Sequence, residues 1–256
     1  MNTGYWMKRE IVVVTSAYGN DRVAALGGQQ ALLPVIAAAG ADGVEIRREL
    51  CSARELEDLG TLSAAIRARH LFACYSAPEP LFTASGQLNP LLPQLLAEAA
   101  RLKARWLKLS LGEAPRTIAF DGLRDCLAPG SVALVIENDQ TPNGRLAPMQ
   151  RFQATCRVNA LPVTLTFDMG NWLWVDDSPE QAARHLAPSV SYIHVKAASP
   201  HNGQFRAVPP DTSEPERWSA LLRQLPDSVP RGIEFPLEGA DLVAVTRRYV
   251  NLLREE

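Results

Sequence analysis

The chain has 256 residues, a length typical of one (β/α)8 barrel and sufficient to bury a large core. A net charge of −2 and a pI of about 6.1, without a basic run, argue against nucleic-acid binding. No apolar stretch approaches the ~20 residues that span a bilayer, and the first ten residues lack an apolar signal segment, so we expect a cytoplasmic protein with no membrane partner.

Strand-like runs alternate with helical ones along the whole chain. Eight short apolar runs predict strands that begin at Ile11, Gly43, Leu71, Trp106, Ser131, Val163, Val190 and Gly232. The segments between and after them predict helices at 29–40, 54–69, 89–103, 120–127, 147–158, from Ser178, at 214–224 and at 239–256. The order is strand then helix, eight times.

This alternation predicts an α/β fold, a single (β/α)8 TIM barrel formed by residues 1–256. Nearly continuous apolar strands are typical of a parallel sheet that is buried on both faces, and strand–helix units of about 30 residues suit a barrel. The competing architecture is a doubly wound open sheet, which favours a glycine-rich phosphate turn after the first strand. The sequence there is SAYGND. The proline-rich stretch 198–215 predicts a loop at the active-site mouth, acting as a lid.

Four polar residues end the fifth to eighth predicted strands: Glu137, Asp168, His194 and Glu234. In a (β/α)8 barrel the active site lies at the carboxyl ends of the strands, so these side chains are expected to converge. Three carboxylates share a small cavity only around a cation, because like charges raise the pKa of one another. This set of oxygen and nitrogen ligands suits Mn²⁺, Mg²⁺ or Co²⁺, and we expect a divalent metal ion as cofactor.

Other polar residues stand at or near the same strand ends: Glu45, Ser76, Glu79, Lys108, Asn138, Asn171 and Lys196. The alternative interpretation of any such residue is an ordinary polar side chain that faces solvent or caps a helix. His194 could be a buried core histidine, and Glu45 could simply pair with Arg47 or Lys108. The four cysteines are far apart without a CxxC pair, so we expect free thiols rather than zinc ligands.

Five segments, GADGVEIR, VIEND, FDMGNWLWVDDSP, YIHVKA and GIEFPL, resemble in this order the xylose-isomerase-like barrel superfamily of sugar isomerases and epimerases. The resemblance runs from about Ile11 to the C-terminus and is greatest to small epimerases associated with 2-ketogluconate use. It implies a metal-dependent epimerase or isomerase of a small keto sugar or sugar acid. Glu137 and Glu234 would act as base and acid through an enediolate intermediate. Many members are dimers or tetramers, so a homo-oligomer is also expected.

The chain departs from the superfamily pattern in places that concern the substrate. Asn171 replaces a frequent histidine, HVKA replaces the common HxKD, and VPPDTSEPERW replaces a glycine-rich turn, where we expect Arg206 to bind a substrate carboxylate or phosphate. The residues expected to contact substrate are Glu45, Ser76, Lys108, Asn171, Lys196 and Arg206.

Three other functions stay open. A dehydratase of a hydroxylated cyclic acid would use the same metal and enolate chemistry, and a non-catalytic sugar-binding barrel would keep the scaffold alone. An abasic-site DNA endonuclease of related fold predicts extra histidine ligands and a basic groove. The four histidines and the negative net charge argue against it.

Overall fold

A computed structural model describes residues 8–116, 120–128, 130 and 132–256. Eight parallel strands form the barrel: β1 Ile11–Val14, β2 Gly43–Arg47, β3 Phe72–Phe82, β4 Ala104–Gly112, β5 Ala133–Glu137, β6 Val163–Asp168, β7 Val190–Val195 and β10 Arg231–Ile233. The barrel closes in the order β1, β10, β7, β6, β5, β4, β3, β2. Two further strands, β8 Ala197–His201 and β9 Gln204–Val208, pair only with each other. The predicted (β/α)8 TIM barrel is confirmed.

Helices separate the strands: α1 Asn20–Ala25, α2 Leu33–Ala38, α3 Ala53–Glu57, α4 Leu59–Arg67, α5 Leu92–Leu102, α6 Phe120–Leu127, α7 Leu146–Val158, α8 Pro179–Leu186, α9 Pro215–Leu222 and α10 Leu242–Glu255. As predicted, Ser178 caps α8 by accepting a hydrogen bond from the backbone N–H of Gln181 at 3.2 Å. None of the described helices is long and apolar enough to cross a membrane. All four cysteines are free, as expected.

Two predicted segments lie partly outside the described residues. The fifth strand was expected to begin at Ser131, which is not described, and β5 begins at Ala133. Residues 1–7, which belong to the segment in which no signal sequence is expected, are also not described.

The helical segment predicted at 54–69 is largely confirmed, and the structure divides it into α3 and α4 at Asp58. The Asp58 carboxylate accepts a hydrogen bond from the backbone N–H of Thr61 at 3.2 Å and so begins a new helix. An aspartate in the middle of a helical pattern competes with the backbone in this way.

The loop predicted at 198–215 is wrong in its first part, because β8 and β9 form an antiparallel hairpin there. Asn202 and Gly203 make its two-residue turn with φ of 49° and 76°, which is the left-handed backbone that such turns require. Phe205 on β9 packs against Trp174, with ring centroids 5.7 Å apart. The lid role stays a prediction.

The period of two along each strand decides which side chains enter the barrel. Alternate residues contribute to a small inner cluster of Val12, Cys74, Trp106, Val135 and Tyr192, while their neighbours pack outward against the helices. Glu45, Lys108, Glu137 and His194 are in phase with this inner cluster, so strand geometry sends all four side chains into the interior.

Candidate metal centre

Four polar side chains converge at the carboxyl ends of β5, β6, β7 and β10, which are neighbouring strands of the barrel. One ligand atom from each of Glu137, Asp168, His194 and Glu234 lies within 4.8 Å of the other three. Asp168 and His194 are paired in register on β6 and β7. The structure therefore brings together all four residues that the sequence analysis selected as metal ligands.

The atoms of this cluster fit a cation. His194 Nδ1 lies 2.6 Å from Glu137 Oε1, 3.2 Å from Glu234 Oε2 and 3.9 Å from Asp168 Oδ2. Among the described residues, His194 Nδ1, Glu137 Oε1 and Asp168 Oδ2 find no hydrogen-bond partner of acceptable geometry, although all three are buried. Buried polar atoms rarely lack partners, and a divalent ion with oxygen and nitrogen ligands would satisfy them together.

Burial and neighbouring carboxylates raise the pKa of Asp168. Burial raises the pKa of its carboxyl to about 7 despite the neighbouring Lys196, and the Glu234 and Glu137 carboxylates contribute to the increase. Without a cation, this carboxyl therefore binds a proton near neutral pH.

The pKa values of the two glutamates of the cluster are lowered rather than raised. Burial alone would raise the pKa of Glu137, but Lys108 and His194 lower it to about 2. Lys196 and His194 likewise hold the pKa of Glu234 well below its ordinary value in spite of burial. Both glutamates are therefore ionised at neutral pH.

The imidazole of His194 also carries a proton in the absence of a cation. Burial opposes the charge, but the carboxylates of Glu45, Glu234 and Glu137 raise the pKa of His194 well above its ordinary value. A metal ion takes a deprotonated ligand nitrogen, so metal binding displaces this proton.

Three cationic side chains balance the acids. Lys108 Nζ contacts Glu137 Oε2. Lys196 Nζ lies 2.9 Å from Asp168 Oδ2 and 3.0 Å from Glu234 Oε2. The third cation is the guanidinium of Arg47, which the sequence analysis considered only as a partner for Glu45.

Arg47 links two of the carboxylates. Its Nη1 lies 3.2 Å from Glu234 Oε1 and 3.8 Å from Glu45 Oε1. The signal was present in the sequence, because Arg47 follows Glu45 by two residues on the same strand and so shares its face.

Two asparagines fix the orientation of Asp168. Asn138 Nδ2 donates to the Asp168 carbonyl at 3.0 Å, and Asn138 Oδ1 accepts from the Asp168 N–H at 2.9 Å. Asp168 Oδ1 accepts from the N–H groups of Gly170 and Asn171 at 3.0 and 2.8 Å, which leaves Oδ2 directed at the cluster. Asn171 in turn donates from Nδ2 to the Asn138 carbonyl at 2.9 Å. Its expected contact with substrate stays a prediction.

Glu45 contacts the edge of the His194 imidazole that faces away from Glu137, Asp168 and Glu234. Its side chain is fully buried, and its Oε2 is 2.8 Å from both His194 Nε2 and the Tyr192 hydroxyl. Burial alone would raise the pKa of Glu45, but His194 and Lys108 hold it below its ordinary value. The expected substrate contact of Glu45 stays a prediction, and Tyr192 is a residue that the sequence analysis did not select.

Three further polar residues that the sequence analysis selected, two of them as substrate contacts, lie apart from one another. Ser76 is buried on β3, in register with Lys108 on β4. Arg206 is exposed on β9, and no hydrogen bond or ion pair among the described residues links it to the four candidate ligands. Glu79 is engaged by Arg48, whose Nη1 donates to Glu79 Oε1 at 2.8 Å.

Comparison with known proteins finds similarity at the level of structure. No protein-family model matches the sequence, and no curated protein is recognisably similar to it. Solved structures match over nearly the whole chain. The apo form of the 3-keto-D-glucoside 4-epimerase YcjR from E. coli is 16% identical, with a TM-score of 0.62, covering 97% of this chain and 100% of that one.

Two further solved structures extend the comparison. The IOLI protein with a bound zinc atom is 12% identical, with a TM-score of 0.68, covering 96% of this chain and 98% of that one. The probable 3-DHS dehydratase AsbF from Bacillus anthracis is 12% identical, with a TM-score of 0.63, covering 95% and 98%. Xylose isomerase domain proteins are also among the similar structures, and these matches together confirm the predicted TIM-barrel fold.

Proposed function

We propose that the protein is a divalent-metal-dependent epimerase or isomerase of a small keto sugar or sugar acid. The observation that carries the proposal is the convergence of three carboxylates and one imidazole at the carboxyl ends of four consecutive barrel strands. The structural similarity to a 3-keto-D-glucoside 4-epimerase supports the same class of chemistry.

Glu137, Asp168, His194 and Glu234 would hold the ion. When bound there, a divalent cation polarises a substrate carbonyl and so acidifies the adjacent C–H bond. The native metal is proposed to be Mn²⁺, Mg²⁺ or Co²⁺, and the zinc atom in the similar IOLI protein adds Zn²⁺ to the metals worth testing.

The two glutamates are the acids of the cluster that reach the mouth of the barrel. The side chains of Glu137 and Glu234 are 10% and 15% exposed, whereas those of Asp168 and His194 are fully buried. Glu137 ends β5 and Glu234 directly follows β10. Because β6 and β7 lie between these two strands, the two glutamates would approach a bound substrate from different sides.

Proton transfer then follows from the positions of the two glutamates. One glutamate takes the proton beside the carbonyl, and the electron pair of that C–H bond forms the enediolate. A proton returned to the same carbon on its opposite face by the other glutamate inverts the centre, which is epimerisation. A proton returned to the neighbouring carbon, together with transfer of the hydroxyl proton between the two adjacent oxygens, interconverts aldose and ketose.

Buried positive charge would stabilise the anionic intermediate. Lys108 and Lys196 are 3% and 7% exposed and both point into the cluster, so their ammonium groups lie where the enediolate charge develops. Fixed charges in a water-poor site stabilise a developing anion more than mobile water does.

Deuterium exchange tests the proposed function. Metal-loaded protein is incubated in D₂O with a panel of five- and six-carbon keto sugars and sugar acids, and NMR follows the C–H signals beside the carbonyl. We expect exchange without loss of water, and a decrease of at least about 100-fold for Glu137→Gln and Glu234→Gln. The exposed Glu57→Gln is the matched control and should retain full exchange.

Two results would contradict the proposal: no exchange with any member of the panel, or full exchange by both site variants. A second candidate, a dehydratase, is favoured by the similarity to AsbF and would use the same metal site. It predicts loss of a hydroxyl group as water, which the same NMR spectra distinguish from exchange.

A further inference from the structure

A fully buried carboxylate lies beside the candidate metal centre and has no part in the proton transfers. Glu45 extends from β2, whereas its partners Tyr192 and His194 belong to β7, and β1 and β10 stand between these strands in the barrel. Glu45 therefore reaches across the interior of the barrel. Because burial of an unpaired carboxylate costs free energy, a buried carboxylate in this position needs a specific partner.

The partner is the nitrogen of His194 that faces away from the cluster. Glu45 Oε2 lies 2.8 Å from His194 Nε2, while His194 Nδ1 faces Glu137, Asp168 and Glu234. A metal-binding imidazole presents one bare nitrogen to the ion and needs its proton on the other. An acceptor fixed at Nε2 selects the tautomer that leaves Nδ1 bare.

Tyr192 fixes the acceptor in turn. Its hydroxyl donates to the same Glu45 oxygen at 2.8 Å, and its ring meets the imidazole of His194 edge to face, with centroids 4.9 Å apart. Arg47 and Lys108 lie 3.8 and 4.0 Å from the other Glu45 oxygen and supply positive charge on that side.

We propose that Glu45 and Tyr192 are positioning residues for the metal, because they hold His194 in one tautomer and one orientation with Nδ1 directed at the ion. The inference rests on the proposed metal dependence and deepens it. It makes the strength of metal binding depend on two residues that are not among the four candidate ligands.

The chain contains a matched control for this arrangement. Tyr75 donates to the buried carboxylate of Glu98 at 2.7 Å, and Glu98 also binds Arg48. The same tyrosine–glutamate chemistry is therefore present at a second place, away from the four candidate ligands. Variants of this second pair report the cost of disturbing such a bond without any effect on His194.

The experiment measures metal binding rather than turnover. The affinities of the wild-type protein, Glu45→Gln, Tyr192→Phe, Glu98→Gln and Tyr75→Phe for Co²⁺ and Mn²⁺ are determined by competition with a chelator, and the visible absorption of the Co²⁺ forms is recorded. We expect Glu45→Gln to weaken binding about 10- to 100-fold and Tyr192→Phe to weaken it less. Both should change the Co²⁺ spectrum, whereas the two control variants should match the wild type.

Each outcome decides the inference. Unchanged affinity and spectrum in Glu45→Gln would overturn it, as would an equal loss in Glu45→Gln and Glu98→Gln, since that pattern is general destabilisation. If Glu45→Gln does not fold, Tyr192→Phe alone decides by the same criteria. A wild-type protein that binds neither ion would instead remove the proposed function, and the inference with it.

Discussion

A methyl group added at Gly232 tests the packing behind the candidate metal centre. Gly232 is the middle residue of the three-residue strand β10 and is paired in register with His194. A Cβ atom at this position would lie 2.3 Å from the Tyr192 hydroxyl oxygen and 3.1 Å from His194 Cδ2. Ordinary van der Waals contact begins near 3.4 Å, so the hydroxyl must move by about 1 Å in Gly232→Ala.

Tyr192 has little room for such a movement. It is fully buried, and its ring packs on Trp106 with centroids 4.8 Å apart. Overpacking of a core typically costs about 1–3 kcal/mol, and the displaced hydroxyl also loses its charge-assisted hydrogen bond to Glu45, which is worth a further ~1.5–3 kcal/mol at most. We expect Gly232→Ala to reduce the free energy of unfolding by roughly 2–4 kcal/mol.

Urea unfolding of the metal-free protein measures this loss, and chelator competition measures the accompanying change in metal affinity. Gly239→Ala is the matched control, because the nearest atoms to its added Cβ belong to Val245 at 3.7 Å, which is ordinary contact. The control should stay within about 0.5 kcal/mol of the wild type. If Gly232→Ala matched the control in both measurements, the close packing described around Tyr192 would be wrong.

Two further predictions concern the ligands themselves. Because burial raises the pKa of Asp168 to about 7 and neighbouring carboxylates raise that of His194, both ligands are protonated below neutral pH. Metal affinity should therefore fall as the pH decreases from about 8 to about 6, with release of protons on binding. Calorimetry in buffers of different ionisation enthalpy detects this release, and affinity independent of pH would contradict it. Asn138→Ala removes both hydrogen bonds that fix the Asp168 backbone and should weaken metal binding about 10-fold or more, whereas an unchanged chelator titration would show that Asp168 holds its position unaided.

The candidate ligands could be predicted from the sequence because the geometry of parallel strands is regular. Parallel strands end at one edge of a sheet, and alternation along each strand sends Glu137 and His194 into the barrel. The role of Glu45 was not accessible in this way. Its contact with His194 depends on the closure of the barrel and on the distance across its interior, which no local pattern encodes.

Two local features of the structure had signals in the sequence that were outweighed. Asn202-Gly203 is a strong hairpin turn, but the prolines around it favoured a loop. Asp58, three residues before Thr61, is a helix cap, but the leucines on both sides continued the helical period. Local turn and cap chemistry decided the structure at both places over the longer pattern.

The pairing of β1 with β10 joins the two ends of the chain, with Ile11 opposite Arg231. The guanidinium of Arg9 donates to the Arg254 carbonyl at 2.8 Å, which ties the same ends together outside the sheet. Glu234 follows β10 directly and is residue 234 of 256. The fourth candidate ligand therefore joins the other three only when β10 pairs with β1 and β7 and the barrel closes. The complete set of four candidate ligands is consequently a property of the closed barrel, so an ion that needs all four would bind only after the first and last strands have paired.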